Sequence, residues 1–228
     1  MKRILIITVI IICILFVFAF SKVKAINYLP LLGKVIVIDP GHGGRDPGTI
    51  YGNIYEKDIN LEISKVLERV LSNKGAIVYM IREDDSDLSS KYDKRKKRGD
   101  LYRRILFIED ENKKTDLYLS IHINWYRNTF WSGAEVLYHN INPNNKILGE
   151  ILMKYFKEDL HTQRSLKTTS LYLYRNTTVP GVLIECGFLS NPNERYLLRQ
   201  ESYQEKISTS ITNAVIEYFQ TISNSASG

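Results

Sequence analysis

Four aliphatic residues in a row, Val35-Ile36-Val37-Ile38, run directly into Asp39-Pro40-Gly41-His42-Gly43-Gly44-Arg45-Asp46-Pro47-Gly48, a ten-residue segment holding four glycines and two prolines. An unbroken aliphatic run this short fits a strand covered on both faces, the setting of a parallel sheet between helices. The glycines and prolines then define a tight, shaped loop at its carboxyl end. Downstream, short apolar runs alternate with amphipathic stretches, which reads as an α/β fold.

Further strands are expected at Ala76 to Met80, at Leu117 to Ile121, at Ala134 to Tyr138, at Ser170 to Leu173 and at Val182 to Glu185. Ile59, Ile63, Val66, Leu67, Val70 and Leu71 fall at helical spacing behind Asp58, a capping residue, and ahead of Gly75, a stop. Leu101 to Ile108 lies within a second helix, Asn144 to Lys157 forms a third, and Gln204 to Phe219 closes the domain. The small, polar tail Ser223 to Gly228 is expected to fray.

The segment Ile4 to Phe20 carries no charge or proline, and as a helix it would be roughly 26 Å long at ~1.5 Å per residue, nearly a bilayer core. Lys2 and Arg3 precede it, which predicts that everything after Phe20 is exported. Val23-Lys24-Ala25 resembles a cleavage site. Residues 1–25 are thus a membrane anchor or a signal peptide, with the long run favouring an uncleaved anchor; 26–33 are a linker, 34–222 one catalytic domain and 223–228 a disordered tail. The formal charge of +6 falls close to neutral once Lys2, Arg3, Lys22 and Lys24 are set aside, so nucleic acid is a poor reading. Cys13 lies in the apolar run and Cys186 far down the chain, which makes an intramolecular disulfide implausible.

Three expected strands end at or near a residue able to bind metal or move protons: His42, His122 and Glu185. In open parallel sheets ligands bind beyond the carboxyl ends of strands, where residues remote in sequence converge. Glu56 lies fourteen residues after His42, just ahead of the first helix, where the loop can fold its carboxylate back beside the imidazole. Two imidazoles and a carboxylate, with a fourth position left for water, form a catalytic zinc set. The plainer readings are a surface histidine in a turn for His42, a helix-start carboxylate favoured by the dipole for Glu56, and a salt-bridged strand-end carboxylate for Glu185. An acidic side chain after Val182-Leu183-Ile184 is costly to bury unless it is paired or used, and beside a bound water it can serve as general base and then acid. No separate histidine and orienting residue equip Cys186 as a nucleophile.

Asp39-Pro40-Gly41-His42-Gly43-Gly44, Glu56-Lys57, Ser120-Ile121-His122-Ile123-Asn124 and Glu185-Cys186-Gly187-Phe188-Leu189-Ser190-Asn191 resemble, in order, the four motifs of the zinc-dependent N-acetylmuramoyl-L-alanine amidases. The resemblance runs from about Lys34 to Phe219. It implies a single α/β domain whose six-stranded, mixed but mostly parallel sheet is flanked by helices, with Zn2+ on His42, Glu56 and His122 and Glu185 as the catalytic carboxylate. Trp125 and Cys186 depart from the pattern, which often has alanine and a small aliphatic residue there. Asp85-Ser86-Asp87-Leu88, the basic stretch after it and Trp131-Ser132-Gly133-Ala134 resemble the germination-specific group from spore-forming bacteria. That likeness implies removal of stem peptides from spore-cortex muramic acid, ahead of muramic δ-lactam formation, in the space between mother-cell and forespore membranes.

The implied reaction is hydrolysis of the amide joining the lactyl group of muramic acid to L-alanine, with peptidoglycan stem peptides and glycan as partners, a membrane contact through the leader, and room for an accessory activating protein. Asn124 and Arg175 are candidates for holding substrate polar groups, and each could equally be a structural hydrogen-bonder. Lys91, Lys94, Arg95, Lys96, Lys97, Arg98, Arg103 and Arg104 form the one charge block of the exported domain: a solvated helix face, or a field attracting stem-peptide carboxylates or an acidic partner. The rivals are a zinc peptidase or deacetylase acting on another wall bond, and a wall-binding scaffold with an inactive site.

Overall fold

The aliphatic run forms strand β1 (Val35–Pro40), all but its first residue buried, at the second position of a six-stranded sheet. The computed structural model describes residues 10–11 and 29–226. Apart from Ile10 and Ile11, the expected anchor lies outside the described residues, as do its cleavage site and Cys13; among the described residues no helix is long and apolar enough to cross a membrane. A two-residue hairpin, β2 (Ile50–Tyr51) and β3 (Ile54–Tyr55), follows the glycine loop and leads into helix α1 (Glu56–Ser72). Then come β4 (Ile77–Met80), α2 (Lys96–Ile108), β5 (Leu117–Asn124) and β6 (Glu135–Tyr138). The chain continues through α3 (Pro143–Asp159), β7 (Lys167–Thr168), α4 (Tyr172–Arg175), β8 (Gly181–Phe188), α5 (Pro192–Leu197) and α6 (Glu201–Ala226).

The sheet order is β4-β1-β5-β8-β6-β7. All neighbours run parallel except β6 against β8. Because side chains alternate across a strand, odd and even positions feed two cores. Ile36, Ile38, Leu119, Ile121 and Ile184 pack with the apolar stripes of α1, α3 and α6, among them Ile63, Phe156 and Ile211. Val37, Tyr118 and Leu183 point the other way, against Ile105 and Ile108 of α2 and Leu173 and Tyr174 of α4. The strands at the centre therefore read as continuously buried rather than alternating, and β5 shows it: Tyr118 and Ser120 are as inaccessible as Leu117 and Leu119.

Several boundaries differ from the expectation, each for a local reason. Helix α1 starts two residues before Asp58, with Tyr55 as N-cap and no side-chain cap bond, so Glu56 is its first residue and is drawn inward. The expected strand at Ser170 to Leu173 is instead the helical turn α4, and the edge pairing is made earlier by Lys167 and Thr168. Four residues are too few for periodicity to choose between helix and strand; here burial of Leu173 and Tyr174 against α2 decides. Helix α5 was not expected, although Asn191 caps it through the Asn193 and Glu194 N–H groups and Pro192 opens it, a helix start that is readable in a sequence. The tail does not fray at Ser223: α6 continues to Ala226, with the Ser223 and Ser225 hydroxyls donating to the Phe219 and Thr221 carbonyls one turn back.

At the first residue of β8, a Cβ built on Gly181 would meet the Tyr118 ring at 2.1 Å. Gly181→Ala is expected to destabilise the protein by about 1–3 kcal/mol through overpacking, read as a lowered midpoint in denaturant unfolding; an unchanged midpoint would mean that the ring has room to move.

Candidate metal centre and active site

The register of the parallel strands assembles a row of polar residues at one end of the sheet. His122 on β5 is paired with Glu185 on β8, and Glu185 with Glu135 on β6. On the other side of β5, Pro40 is paired with Ile121, so the glycine loop emerges beside His122. The row is therefore His42, His122, Glu185, Glu135, and the sheet itself sets its spacing. Between His122 and Asn124 the pairing with β8 slips by one residue; such a bulge re-aims side chains beside a site.

Glu56 closes the group from above. Its Oε1 lies 3.1 Å from His42 Nε2 and 3.1 Å from His122 Nδ1, and the two imidazoles meet edge to face with centroids 5.0 Å apart. The ligand atoms of the three residues all lie within 4.8 Å of one another, a group that could hold a metal ion. Two glycines make room for it: a Cβ on Gly41 would come within 2.3 Å of the His122 ring, and one on Gly48, which has φ 64°, within 2.6 Å of Glu56 Oε2. The carboxylate is held on every side, its Oε2 accepting from the Thr49 N–H at 2.8 Å and its Oε1 from the Ile123 N–H at 3.2 Å and from Asn60 Nδ2 at 3.3 Å. Two imidazole nitrogens and one carboxylate oxygen converging on one point, with polar support behind them, suit a divalent cation of borderline softness.

His42 adopts a left-handed backbone conformation, φ 62°, which is uncommon away from glycine and needs outside support. Two buried arginines supply it. Arg104 donates to the carbonyls of Pro40 at 3.0 Å and His42 at 2.6 Å, pairs with Asp100 at 2.7 Å and contacts the Asp39 carboxylate. Arg82 donates to the carbonyls of Pro40, Gly41, Lys57 and Asp84. From outside, Asp85 accepts from the Gly44 N–H and pairs with Lys57, and Asp87 accepts from the Arg45 N–H; the Asp85-Ser86-Asp87 segment thus clasps the loop. The basic block is accordingly split in function. Arg104 is interior, Arg103 is paired with Asp93, Lys97 pairs with Asp46 at 3.0 Å, and Lys96 caps the Ser90 and Lys91 carbonyls.

Charges at the site follow from these contacts. Burial raises the Asp39 carboxyl, but the Arg104 cation and the Ser120 hydroxyl outweigh it and hold the group below its ordinary range. Burial likewise opposes ionisation of Glu56, yet its contacts with His122 and His42 hold it far below the usual carboxylate range. Burial lowers His42, but the hydrogen bonds it donates to Asp46 and Glu56 outweigh burial and raise it to about 9. Asp46 Oδ2, 3.1 Å from His42 Nδ1, fixes the ring so that Nε2 faces Glu56, an arrangement that orients metal-binding histidines. Glu185 behaves in the opposite way: burial, then the carboxylates of Glu56 and Glu135, push it well above the ordinary value. Its Oε2 is buried without a partner among the described residues.

Asn124 is engaged at both ends of its amide, donating to Glu135 at 2.8 Å and accepting from the Trp125 N–H at 2.8 Å. Glu135 is buried and balanced by Arg164 at 2.9 Å and Lys167 at 2.7 Å. Arg175 is exposed at the end of α4, its guanidinium 5.7 Å from the Tyr172 ring centre. A cavity of about 300 Å³ opens beside His42 and His122, walled by Lys97, Leu101, Tyr172 and Leu183. Cys186 points into the core with its thiol pushed up by burial. His139 is partly buried and His161 exposed, both outside the row. The sequence reading missed Asp46, Arg82, Arg104 and Glu135. Of these only Asp46 carried a usable signal, since it stands four residues after His42 inside the same shaped loop.

Known proteins share both the sequence and the architecture. The sequence model of the family described as N-acetylmuramoyl-L-alanine amidase matches residues 36–217. The chain is 39% identical over 196 residues to the germination-specific N-acetylmuramoyl-L-alanine amidase of Bacillus subtilis, a match covering 84% of this chain and 82% of that one. The CwlD amidase from Clostridioides difficile, solved in complex with the GerS lipoprotein, superposes with a TM-score of 0.78 at 34% identity over 83% of this chain and 100% of that one. An N-acetylmuramoyl-L-alanine amidase from Clostridium difficile 630 follows at 0.72 and 32% identity, over 82% and 97%.

Two outcomes are expected. Arg104→Ala leaves Asp39 buried without its cation and removes two carbonyl contacts, and should cost about 3–5 kcal/mol in chemical unfolding; a loss below ~1 kcal/mol would mean that the pair is not a foundation of the loop. For the metal-free protein, the folded pKa of His42 lies above its ordinary 6.5. Its contribution to stability is then complete below that pH and is lost as pH rises towards about 9. The melting temperature should fall across this window and the fall should shrink in His42→Ala; a flat wild-type profile would show that the Asp46–His42–Glu56 chain is not formed.

Proposed function

Since the chain belongs to the N-acetylmuramoyl-L-alanine amidase family, enzymes of the bacterial cell wall, we propose that it carries out the family's amide hydrolysis with Zn2+ held by His42, Glu56 and His122 and with Glu185 as the proton carrier. The bond is the one between the lactyl carbonyl of N-acetylmuramic acid and the L-alanine of the stem peptide. The single observation that carries this reading is the convergence of two imidazoles and one carboxylate within 4.8 Å, beside a buried carboxylate oxygen with no partner among the described residues.

The chemistry supplied by such an ion, when bound, is Lewis acidity, which polarises the amide carbonyl and makes a water easier to deprotonate. The protein does the rest. Glu185 is the register partner of His122 on the neighbouring strand, which supports its carboxylate as the group beside which water and carbonyl carbon would meet. Burial and two nearby carboxylates give that carboxylate a high proton affinity, which a cation held by His42, Glu56 and His122 would lower by offsetting the negative field. The carboxylate takes a proton as water attacks the carbonyl carbon, then delivers it to the departing alanine nitrogen, whose bond to that carbon breaks. Asp46 keeps the His42 ring turned towards the ligand group. Asn124, tied to Glu135 and to the Trp125 N–H, orients the far wall of the site and is the candidate for a substrate polar contact; Arg175 is a more distant one.

The similarity to the germination-specific relative supports placing the reaction in spore cortex, as the step that bares muramic acid for δ-lactam formation. Export through the N-terminal segment would put the domain on the outer face of the cytoplasmic membrane or in the wall, and in a sporulating cell between the two membranes. The solved complex of the CwlD relative with a lipoprotein supports an accessory partner for this chain as well.

Mass spectrometry of digested peptidoglycan tests the reading: intact stem peptides with a free L-alanine amine should be released and chelation should stop the release. Cut cross-links or lost acetyl groups would instead identify a peptidase or a deacetylase. Glu185→Gln should lower kcat by about 10²–10⁴ while metal content is retained; full hydrolysis by that variant would remove Glu185 from the reaction.

A further inference from the structure

Beyond the end of β5 the chain carries an exposed aromatic surface that the hydrolytic machinery does not use. Trp125, Tyr126, Phe130 and Trp131 lie within seven residues, and Trp125 is 49% and Phe130 89% exposed. Exposed rings on a flexible loop would mean little, but this loop is fixed. The Trp125 N–H donates to Asn124 Oδ1 and the Tyr126 N–H to Ser190 Oγ. Further along, the Thr129 carbonyl accepts from Asn191 Nδ2 and the Gly133 N–H donates to Glu194 Oε1. The rings support one another as well: Tyr126 and Trp131 are 5.2 Å apart edge to face, Trp131 lies 6.5 Å from Phe188, and the Arg164 guanidinium stacks 4.3 Å over Trp131. The same Arg164 pairs with Glu135, the register partner of Glu185. A pinned aromatic platform is thus joined to the catalytic row through one side chain.

Its composition selects an occupant. Between Trp125 and Ser132 there is no aliphatic residue and no acid; the rings alternate with Arg127, Asn128, Thr129 and Ser132. Trp and Tyr also line membrane interfaces, but there they flank aliphatic side chains that enter the hydrocarbon, which this stretch lacks, and a hydrophobic partner helix calls for a groove of them. Flat π faces interleaved with hydrogen-bonding groups suit pyranose rings, whose C–H faces stack on aromatics while their hydroxyl and acetamido groups reach the polar side chains. Such patches on a soluble surface mark interaction sites. The reading rests on the proposed function in one respect: a substrate cut at Glu185 keeps its muramic acid attached through the lactyl ether, so the glycan must run within a few ångströms of this row.

We propose that Trp125, Tyr126, Phe130 and Trp131 form a binding platform for the glycan strand of peptidoglycan, next to the site that cuts the peptide from it. The enzyme then recognises the sugar chain as well as the amide, and holds the strand after its peptide has left.

The chain has two tryptophans and both are on the platform, so intrinsic fluorescence of the full-length protein in detergent reads it directly. Peptide-free glycan strands of alternating N-acetylglucosamine and N-acetylmuramic acid should shift the emission saturably, and free stem peptide should not. Phe130→Ala and Trp125→Ala should each weaken glycan binding about tenfold, the loss of an interface aromatic, whereas Tyr92→Ala, an exposed ring elsewhere, should bind as the wild type does. No response to glycan, a response to stem peptide alone, or glycan affinity untouched in a Trp125→Ala/Phe130→Ala double variant would overturn the proposal. Binding of peptide-free glycan needs no hydrolysis, so a protein that binds it but cuts nothing refutes the amidase mechanism and keeps the platform, and one that cuts without binding does the reverse.

Discussion

One carboxylate oxygen, Glu56 Oε1, lies 3.1 Å from a nitrogen of each of two imidazoles, and the upper end of the sheet is organised around keeping it there. A carboxylate this deeply buried is costly unless its charge is met. The histidines, two backbone N–H groups and Asn60 meet it in part. Around it Asp46 is paired with His42 and Lys97, and Glu135 with Arg164 and Lys167, while Glu185 Oε2 has no partner among the described residues. The donor geometry suits a small divalent cation, and the contacts explain why Glu185, buried beside two carboxylates, gains proton affinity while Glu56, held by two imidazoles, loses it within one cluster.

The loop that carries His42 is held by charge rather than by apolar packing. Arg104 and Arg82 spend their donors on the carbonyls of Pro40, Gly41 and His42, groups that a glycine-rich loop leaves without partners of its own. Asp39 at the foot of the loop neutralises Arg104 and is itself steadied by Ser120 on β5. This network ties β1, β5 and α2 to one another just below the imidazoles, so the strained backbone of His42 is over-determined by its surroundings, as functional strain requires. Buried ion pairs add little net stability against an apolar replacement; here the pair fixes geometry.

Much of this was legible in the sequence because its cause is local. The aliphatic run of β1, the glycine loop behind it and the spacing of Ile59, Ile63 and Leu67 each report a burial pattern that only one kind of element satisfies. His42, His122 and Glu185 could be placed at strand ends, and Glu56 could be added from donor chemistry. What stayed hidden depends on tertiary contacts. Arg104 reads as one more cation in a basic run, and nothing in its neighbourhood says that it turns inward to Asp39. Glu135 reads as an ordinary strand residue until the antiparallel register of β6 sets it opposite Glu185. Tyr172 to Arg175 could not be told from a strand because its helical form is imposed by the pocket for Leu173 and Tyr174, and Asp58 lost the helix start to a carboxylate that the site required at Glu56.

X-ray absorption at the zinc edge of the loaded protein tests most directly the proposal that two imidazoles and a carboxylate of this chain hold zinc. The account predicts a shell of light atoms alone, nitrogen and oxygen at about 2.0–2.2 Å, with the outer-shell scattering of two imidazole rings. A sulfur shell near ~2.3 Å, which would implicate Cys186, or an oxygen shell without imidazole scattering would contradict it.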